Sequence, residues 1–324
     1  MSNTNKLVVA LDGQKTSPFL QEKLVYIGQL DCYERGSEIA ELLLNITTND
    51  TAIYRIKDKI GEQCNSLTEE ENFREPITLS EDEYLYVQSD GSMLMTREES
   101  WKEVKLCRVF KSTAIYNESQ DRNWIKSSDY VGHLGWHHEF EDKMSKVLDD
   151  SYRQWSNQLV FINDGAKWQW NWIDAEYPEA TQILDYYHAM ENIGKYVSVV
   201  VKKDAISEVM EKFEKILKTE GIKGVIPLLK SLPRSTQEKE EKYQKLMTYI
   251  SNNVSRMEYP NYIKKGLLIG SGAIESAHRT VLQKRMKQSG QRWSKRGLRN
   301  IINLRVVKMS GYWDKIRDLI KNAA

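Results

Sequence analysis

From Phe19 onward the apolar residues fall at helical spacing. Phe19, Leu20, Leu24 and Ile27 follow a Ser17-Pro18 helix start and precede Gly28. Ile39, Leu42, Leu43 and Ile46 form a second amphipathic stretch, Thr47 to Asp50 reads as a polar turn, and Ile53, Ile56 and Ile60 predict a third helix stopping at Gly61. Two short helices across a tight turn suit a helix-turn-helix, with Tyr54, Arg55 and Lys57 on its exposed side; they suit a plain helical hairpin equally well. Residues 67–82 are polar and acidic, contain Pro76, and read as a linker.

The spacing then changes. Tyr84 to Val87 and Val104 to Phe110 are dense in β-formers, and Thr113 to Tyr116 predicts a third strand. Phe140, Met144, Val147 and Leu148 lie on one face of a helix within residues 137–155. Leu159 to Ile162 is wholly apolar, as expected of a strand covered on both faces. A helix carrying Trp168, Trp170 and Trp172 follows, with the tryptophans reading as packing residues, and then the strand Gln182 to Leu184. From Tyr187 to about Arg256 the pattern is helical, rich in Lys and Glu, and broken at Gly221, Pro227 and Pro233. Three strands, helix, strand, helix, strand is the order of an RNase H-like α/β core, a mixed sheet flanked by helices. The expected organisation is an N-terminal helical domain (1–66), the linker, a first part of the core (83–188), an all-α insertion (189–262) and a last core segment (263–324).

Composition sharpens this in one respect. The formal net charge is +1, yet residues 264–324 carry 15 Lys/Arg against three acids (Glu275, Asp314, Asp318), a surplus of 12 that leaves −11 for everything before them. A basic tail on an acidic body is a surface for a polyanion. No apolar run reaches the length of a membrane helix. The polar start, Met1 to Lys6, lacks the layout of a signal peptide. Cys32, Cys64 and Cys107 are widely separated, which argues against a disulfide framework or a zinc ribbon. The expected location is the cytoplasm, associated with the nucleoid.

Three acids stand at informative places. Asp90 follows a strand-like run and Asp164 another, each before a glycine that lets the backbone turn; Glu275 opens a basic helix. Singly, an Asp-Gly is a turn, and a glutamate at N3 with Gly272 as N-cap offsets a helix dipole. Together they match phosphoryl transfer with two Mg²⁺ ions (or Mn²⁺), which needs several hard oxygen ligands on rigid elements. Asp82 and Asp121 are weaker rivals for the first position. Asp185 and His188 form a DxxH at a strand-to-helix junction, where His188 could orient a phosphate or be structural. His133, His137 and His138 lack a partnering Cys or His pair and do not read as a zinc site.

Several segments resemble one family. Phe161 to Trp170 (FINDGAKWQW), Gln182 to Glu191 (QILDYYHAME), Gly270 to Ser276 (GSGAIES) and Lys284 to Trp293 (KRMKQSGQRW) look like the DDE transposases of insertion sequences, in particular the Kra-type family of the Mutator-like superfamily. Tyr130 to Gly135 and Glu139-Phe140 also fit. The resemblance implies a catalytic and metal-holding triad of Asp90, Asp164 and Glu275, a helical insertion before the Glu, and a functional role for His188. It further implies metal-dependent cleavage and strand transfer on double-stranded DNA, by a homodimer or larger assembly. Arg279, Lys284, Arg285, Lys287, Arg292 and Lys295 would neutralise phosphates, with Trp293 packing on DNA. Family members are often longer at the N-terminus, so residues 1–80 read as a shortened end-binding domain. The alternatives are a transposase-derived DNA-binding protein that no longer cuts, and an RNase H-type structure-specific nuclease.

Overall fold

The computed structural model describes residues 16–70, 73–119 and 122–322. Three helices come first: α1 (Pro18–Leu30), α2 (Tyr33–Leu44) and α3 (Asp50–Leu67). Strands β1 (Leu85–Thr96), β2 (Ser100–Lys111), β3 (Ile115–Ser119), β4 (Arg122–Ile125) and β5 (Asp129–Leu134) follow. Then come α4 (His137–Trp155), β6 (Leu159–Asn163), α5 (Lys167–Glu176) and β7 (Thr181–Leu184). The remainder is helical: α6 (Tyr186–Val200), α7 (Ile206–Thr219), α8 (Ile222–Ser231), α9 (Gln237–Asn253), α10 (Tyr259–Lys264), α11 (Gly272–Ala277), α12 (Lys284–Met286), α13 (Lys295–Met309) and α14 (Trp313–Asn322).

Five strands form one mixed sheet in the order β5-β2-β1-β6-β7. β2 is antiparallel to both neighbours, while β1, β6 and β7 are parallel. The two-residue period of a strand divides the sheet between two cores. Cys107, Val109 and Val131 face a layer built from α4 to α10, whereas Val104, Leu106, Tyr130 and Leu134 face α11 to α13. β6 is buried throughout, in keeping with its apolar run. The outer edge at β7 is covered by side chains of α10: the Tyr259 hydroxyl donates to the Leu184 carbonyl at 2.9 Å and the Tyr262 hydroxyl to that of Gln182 at 3.1 Å. That removes an open strand edge. Trp170 is buried in the same core, and Trp168 and Trp172 pack against it.

The third strand of the sheet is β5, not Thr113 to Tyr116. After β2 the chain leaves the sheet through a short 3₁₀ turn, Ser112–Ala114, and β3 pairs only with β4 in a separate hairpin. Gly132 disguises β5 in the sequence, and its role is steric. A Cβ there would sit 2.7 Å from Ile302 Cγ2 and 2.9 Å from Val306 Cγ1, so glycine lets α13 lie close on the sheet.

The N-terminal helices pack on the C-terminal ones. Val25, Ile60, Cys64 and Phe73 share a core with Leu304, Val307, Ile316 and Ile320. α3 does not stop at Gly61; it crosses α13 there, with a Cβ position only 2.4 Å from the Asn300 carbonyl oxygen. Lys57, expected on the exposed side, is fully buried beside Asp58 at 3.4 Å, because its stem packs on α1 at Gly28 and its ammonium lies by the rings of Tyr33 and Tyr54. Leu42 and Leu43 are exposed instead. Gly61→Ala is therefore expected to cost about 1–3 kcal/mol by overpacking against backbone that cannot retreat. Chemical denaturation measures it, and an unchanged midpoint would refute the close crossing.

Candidate active site

The strand register sets the acids in a row. β1 pairs β6 with Val87 opposite Phe161, and the same offset brings Asp90 level with Asp164. β6 pairs β7 with Asn163 opposite Leu184, which brings Asp164 level with Asp185. Continued just past the paired stretches, these offsets put the three carboxylates at the same end of the parallel strands, with Asp164 near enough to act on the charge of Asp90 and His188. Asp90 does not end its strand as the Asp-Gly pair suggested. β2 pairs with β1 along its whole length (Asp90 opposite Leu106), so the strand continues to Thr96. It is the β6 ladder that stops, at Val87, opening the edge of β1 at Asp90. Buried Asn163 bridges the opening, its Oδ1 accepting from Ser89 N at 2.9 Å and from Ser89 Oγ at 3.2 Å. Asp82 is exposed in a turn before β1, and Asp121 lies outside the described residues.

Alternate residues of β1 fasten the segment that carries Glu275. The Tyr86 hydroxyl accepts from Leu268 N at 3.1 Å. Gln88, fully buried, donates to the Gly270 carbonyl at 3.2 Å and accepts from Ile274 N at 3.0 Å. Asp90 Oδ2 then faces His278 Nε2 at 3.7 Å. From the other side buried Asp185 accepts from Ser271 N at 3.0 Å, while also capping α6 through Tyr187 N and His188 N. Ser271, not Gly272, occupies the N-cap, so Glu275 is the fourth residue of α11, with an exposed side chain. A π-helical turn, His278–Gln283, joins α11 to α12.

Burial raises Asp90 above the usual carboxylate range and the charge of Asp164 adds to it, against the pull of His278. Burial likewise holds the His278 imidazole below its ordinary value, and neither ring nitrogen has a hydrogen-bond partner. Burial opposes ionisation of Asp185 too, yet hydrogen bonds from His188 and Ser271 hold its carboxyl below the usual range. The bond to Asp185 raises His188 to about 9, with the charge of Asp164 adding. An imidazolium so favoured stabilises the fold fully below the unfolded value of about 6.5, and that contribution is lost as pH rises through about 9. The melting-temperature difference between wild type and His188→Gln should thus be largest near pH 6 and shrink toward pH 10 (buffers at about unit spacing suffice). A difference independent of pH would refute a charged His188.

Among the described residues neither Asp164 nor Glu275 is paired with a Lys or Arg, and Asp90, which accepts from Gly91 N at 2.6 Å, has His278 as its basic neighbour. Hard oxygens without a Lys or Arg partner, close enough for the charge of Asp164 to act on Asp90, suit a divalent cation. Of the three acids, Asp164 is the one whose charge acts on Asp90. With Glu275 they do not form a group whose donor atoms all lie within 4.8 Å; His137, His138 and Glu141 do. In that second group each histidine Nδ1 bonds one Glu141 oxygen, at 2.9 and 3.0 Å, a carboxylate supplied from one helical turn away. His133 faces Glu139 instead, at 3.1 Å.

A family model described as an uncharacterised protein family (UPF0236) matches residues 12–320. The chain belongs to that family. No curated protein matches it. The matched span takes in the row of acids, the Glu275 helix and the basic segment after it.

Within that basic segment Arg279, Lys284, Lys287 and Arg292 are exposed and without a carboxylate partner among the described residues, and Lys295 pairs with Glu99. Two residues expected on the DNA face are interior. Arg285 is fully buried, donating to the Gly28 carbonyl from Nε at 3.2 Å and Nη2 at 3.1 Å, and so staples α12 to α1. Trp293 is buried as well, with its indole N–H donated to the Met286 carbonyl at 3.1 Å. Sequence reading missed Gln88, Asn163 and His278. Only His278 had a local signal, one helical turn beyond Glu275.

Proposed function

We propose that the protein is a DDE-type DNA transposase, of the Kra-like kind that its motifs resemble, built on an RNase H-like core. One observation carries the reading: Asp90 and Asp164 lie just past the paired stretch of the neighbouring parallel strands β1 and β6, close enough for their charges to interact, while the segment bearing Glu275 is hydrogen-bonded to alternate residues of β1. A sheet in the order β5-β2-β1-β6-β7, with β2 alone reversed, supports the RNase H-like assignment.

In this reading Asp90, Asp164 and Glu275 hold two divalent cations, whose chemistry is to polarise the scissile phosphate and the attacking hydroxyl. The protein's own groups do the rest. Asp185 fixes the Ser271 turn and keeps His188 cationic, so His188 offers a charged donor to a phosphate oxygen. Arg279, Lys284, Lys287 and Arg292 neutralise the flanking backbone. Exposed Tyr187, packed beside Gly270, provides a ring at the edge of the site. Hydrolysis joins a water oxygen to phosphorus and breaks the P–O3′ bond, freeing a 3′-hydroxyl and releasing a proton to solvent. That hydroxyl then displaces a second 3′-oxygen at target DNA.

The test is a plasmid carrying the element's ends. Wild type should nick at the ends in Mg²⁺, not in chelator, and give joined products with target DNA. Binding without nicking would favour the silent DNA-binding reading. Cleavage of branched or hybrid substrates without joining would favour the nuclease.

A further inference from the structure

A cavity of about 490 Å³ opens well away from the acids, between the first turns of α2 and α3, the β1–β2 hairpin and the loop before α13. Its walls are aromatic: Tyr33, Tyr54 and Trp293, with the Tyr33 and Tyr54 rings edge to face at 5.5 Å. The Arg285 guanidinium lies 4.9 Å from both the Tyr33 and the Trp293 ring centres, which fixes those two walls. Backbone bonds fix the rim. Arg97 N donates to the Trp293 carbonyl at 2.8 Å and Trp293 N to that of Met95 at 3.3 Å, pinning the loop to the end of β1 by one parallel bridge. Arg97 and Arg292 stand at the mouth, both exposed and neither paired with a carboxylate among the described residues; Arg97 Nε donates to the Arg292 carbonyl at 3.2 Å. The Tyr33 hydroxyl itself is buried behind the wall, beside the Arg285 guanidinium.

We infer that this cavity receives one unpaired nucleotide of a DNA strand, its base among the tyrosines and its phosphate on Arg97 and Arg292. The volume suits a planar base with its sugar. Aromatic walls bind any base through its π-face. Three arginines line the space against a single acid, Asp50, which favours a phosphate-bearing ligand over a neutral one. Arg97 directly follows the end of β1, seven residues beyond Asp90, so the cavity is roughly 20 Å from the acids, about six base pairs of duplex. The inference rests on the protein binding DNA, and it adds a second, non-catalytic hold on the strand that is cut.

The experiment uses the full chain and short DNA ends with 2-aminopurine placed at successive unpaired positions. Fluorescence should be quenched at one position only. Thr51→Trp, an exposed site whose new ring blocks the mouth, and Tyr54→Ala should each weaken that binding about tenfold and abolish the quenching. An abasic residue at the same position should cost wild type a similar factor and leave the variants unchanged. Equal quenching at every position would overturn the inference. So would an equal loss in the variants on abasic DNA, or binding of free dAMP without binding of the strand. Metal-dependent nicking is read separately: nicking without position-dependent quenching ends this inference alone, and quenching without nicking ends the transposase reading alone.

Discussion

Asp164→Asn is expected to reduce metal-dependent nicking by at least about 10³-fold while leaving DNA affinity nearly unchanged. The substitution is close to isosteric. Asp164 Oδ1 accepts from Ala166 N at 3.1 Å, and an asparagine oxygen can keep that bond and the entry into α5. What disappears is a negative charge level with Asp90. Because burial and Asp164 together raise Asp90, its ionised form weighs against the fold at neutral pH. A raised carboxyl pKa means that ionisation destabilises the native state as pH climbs above the unfolded value of about 3.9, most fully once the folded value is passed. In chelator at pH 7 the variant should therefore melt at the same or a higher temperature than wild type, and the gain should vanish in acid once Asp90 is protonated. Lost nicking with a stabilised fold is the signature of charges held together for a cation. Retained nicking would remove Asp164 from the chemistry. Lost nicking with a lowered melting temperature would make it a structural residue.

Local pattern revealed the parts of this fold whose partners are close in sequence or whose burial is two-sided. The apolar run Leu159–Ile162 could only be a covered strand, and Ser17-Pro18 marked the start of α1. What local pattern could not reveal depended on distant chain. Gly132 reads as a break until α13 is laid over it, and Gly61 reads as a stop until α3 crosses Asn300. Asp90-Gly91 reads as a turn until β2 is seen pairing across it. The basic segment misled for a different reason. Charge type outweighed spacing there: Arg285 falls on the same helical face as Ile274, His278, Val281 and Leu282, and that face is buried. Nor could spacing relate His278 to Asp90, since their meeting depends on how α11 is fastened to β1. The acids were legible as residue types in order; the groups that hold them were not.

Those fastening groups carry the other large effect. Gln88→Leu nearly preserves volume but leaves the Gly270 carbonyl and Ile274 N without their buried partner, each worth about 1–3 kcal/mol, so a loss of about 2–5 kcal/mol of stability is expected. The functional loss should exceed what unfolding explains. Glu275 follows Ile274 directly, and a shift of about 1 Å in a site of this kind can cost roughly 10²-fold in rate. Gly61→Ala supplies the comparison, because it destabilises at a crossing remote from the acids. Nicking measured per folded molecule, well below either melting transition, should stay near wild type in Gly61→Ala and fall about 10²-fold in Gln88→Leu. If both variants kept wild-type rates once corrected for the folded fraction, the bond from β1 to α11 would be a matter of stability alone, and Glu275 would need no fixed seat.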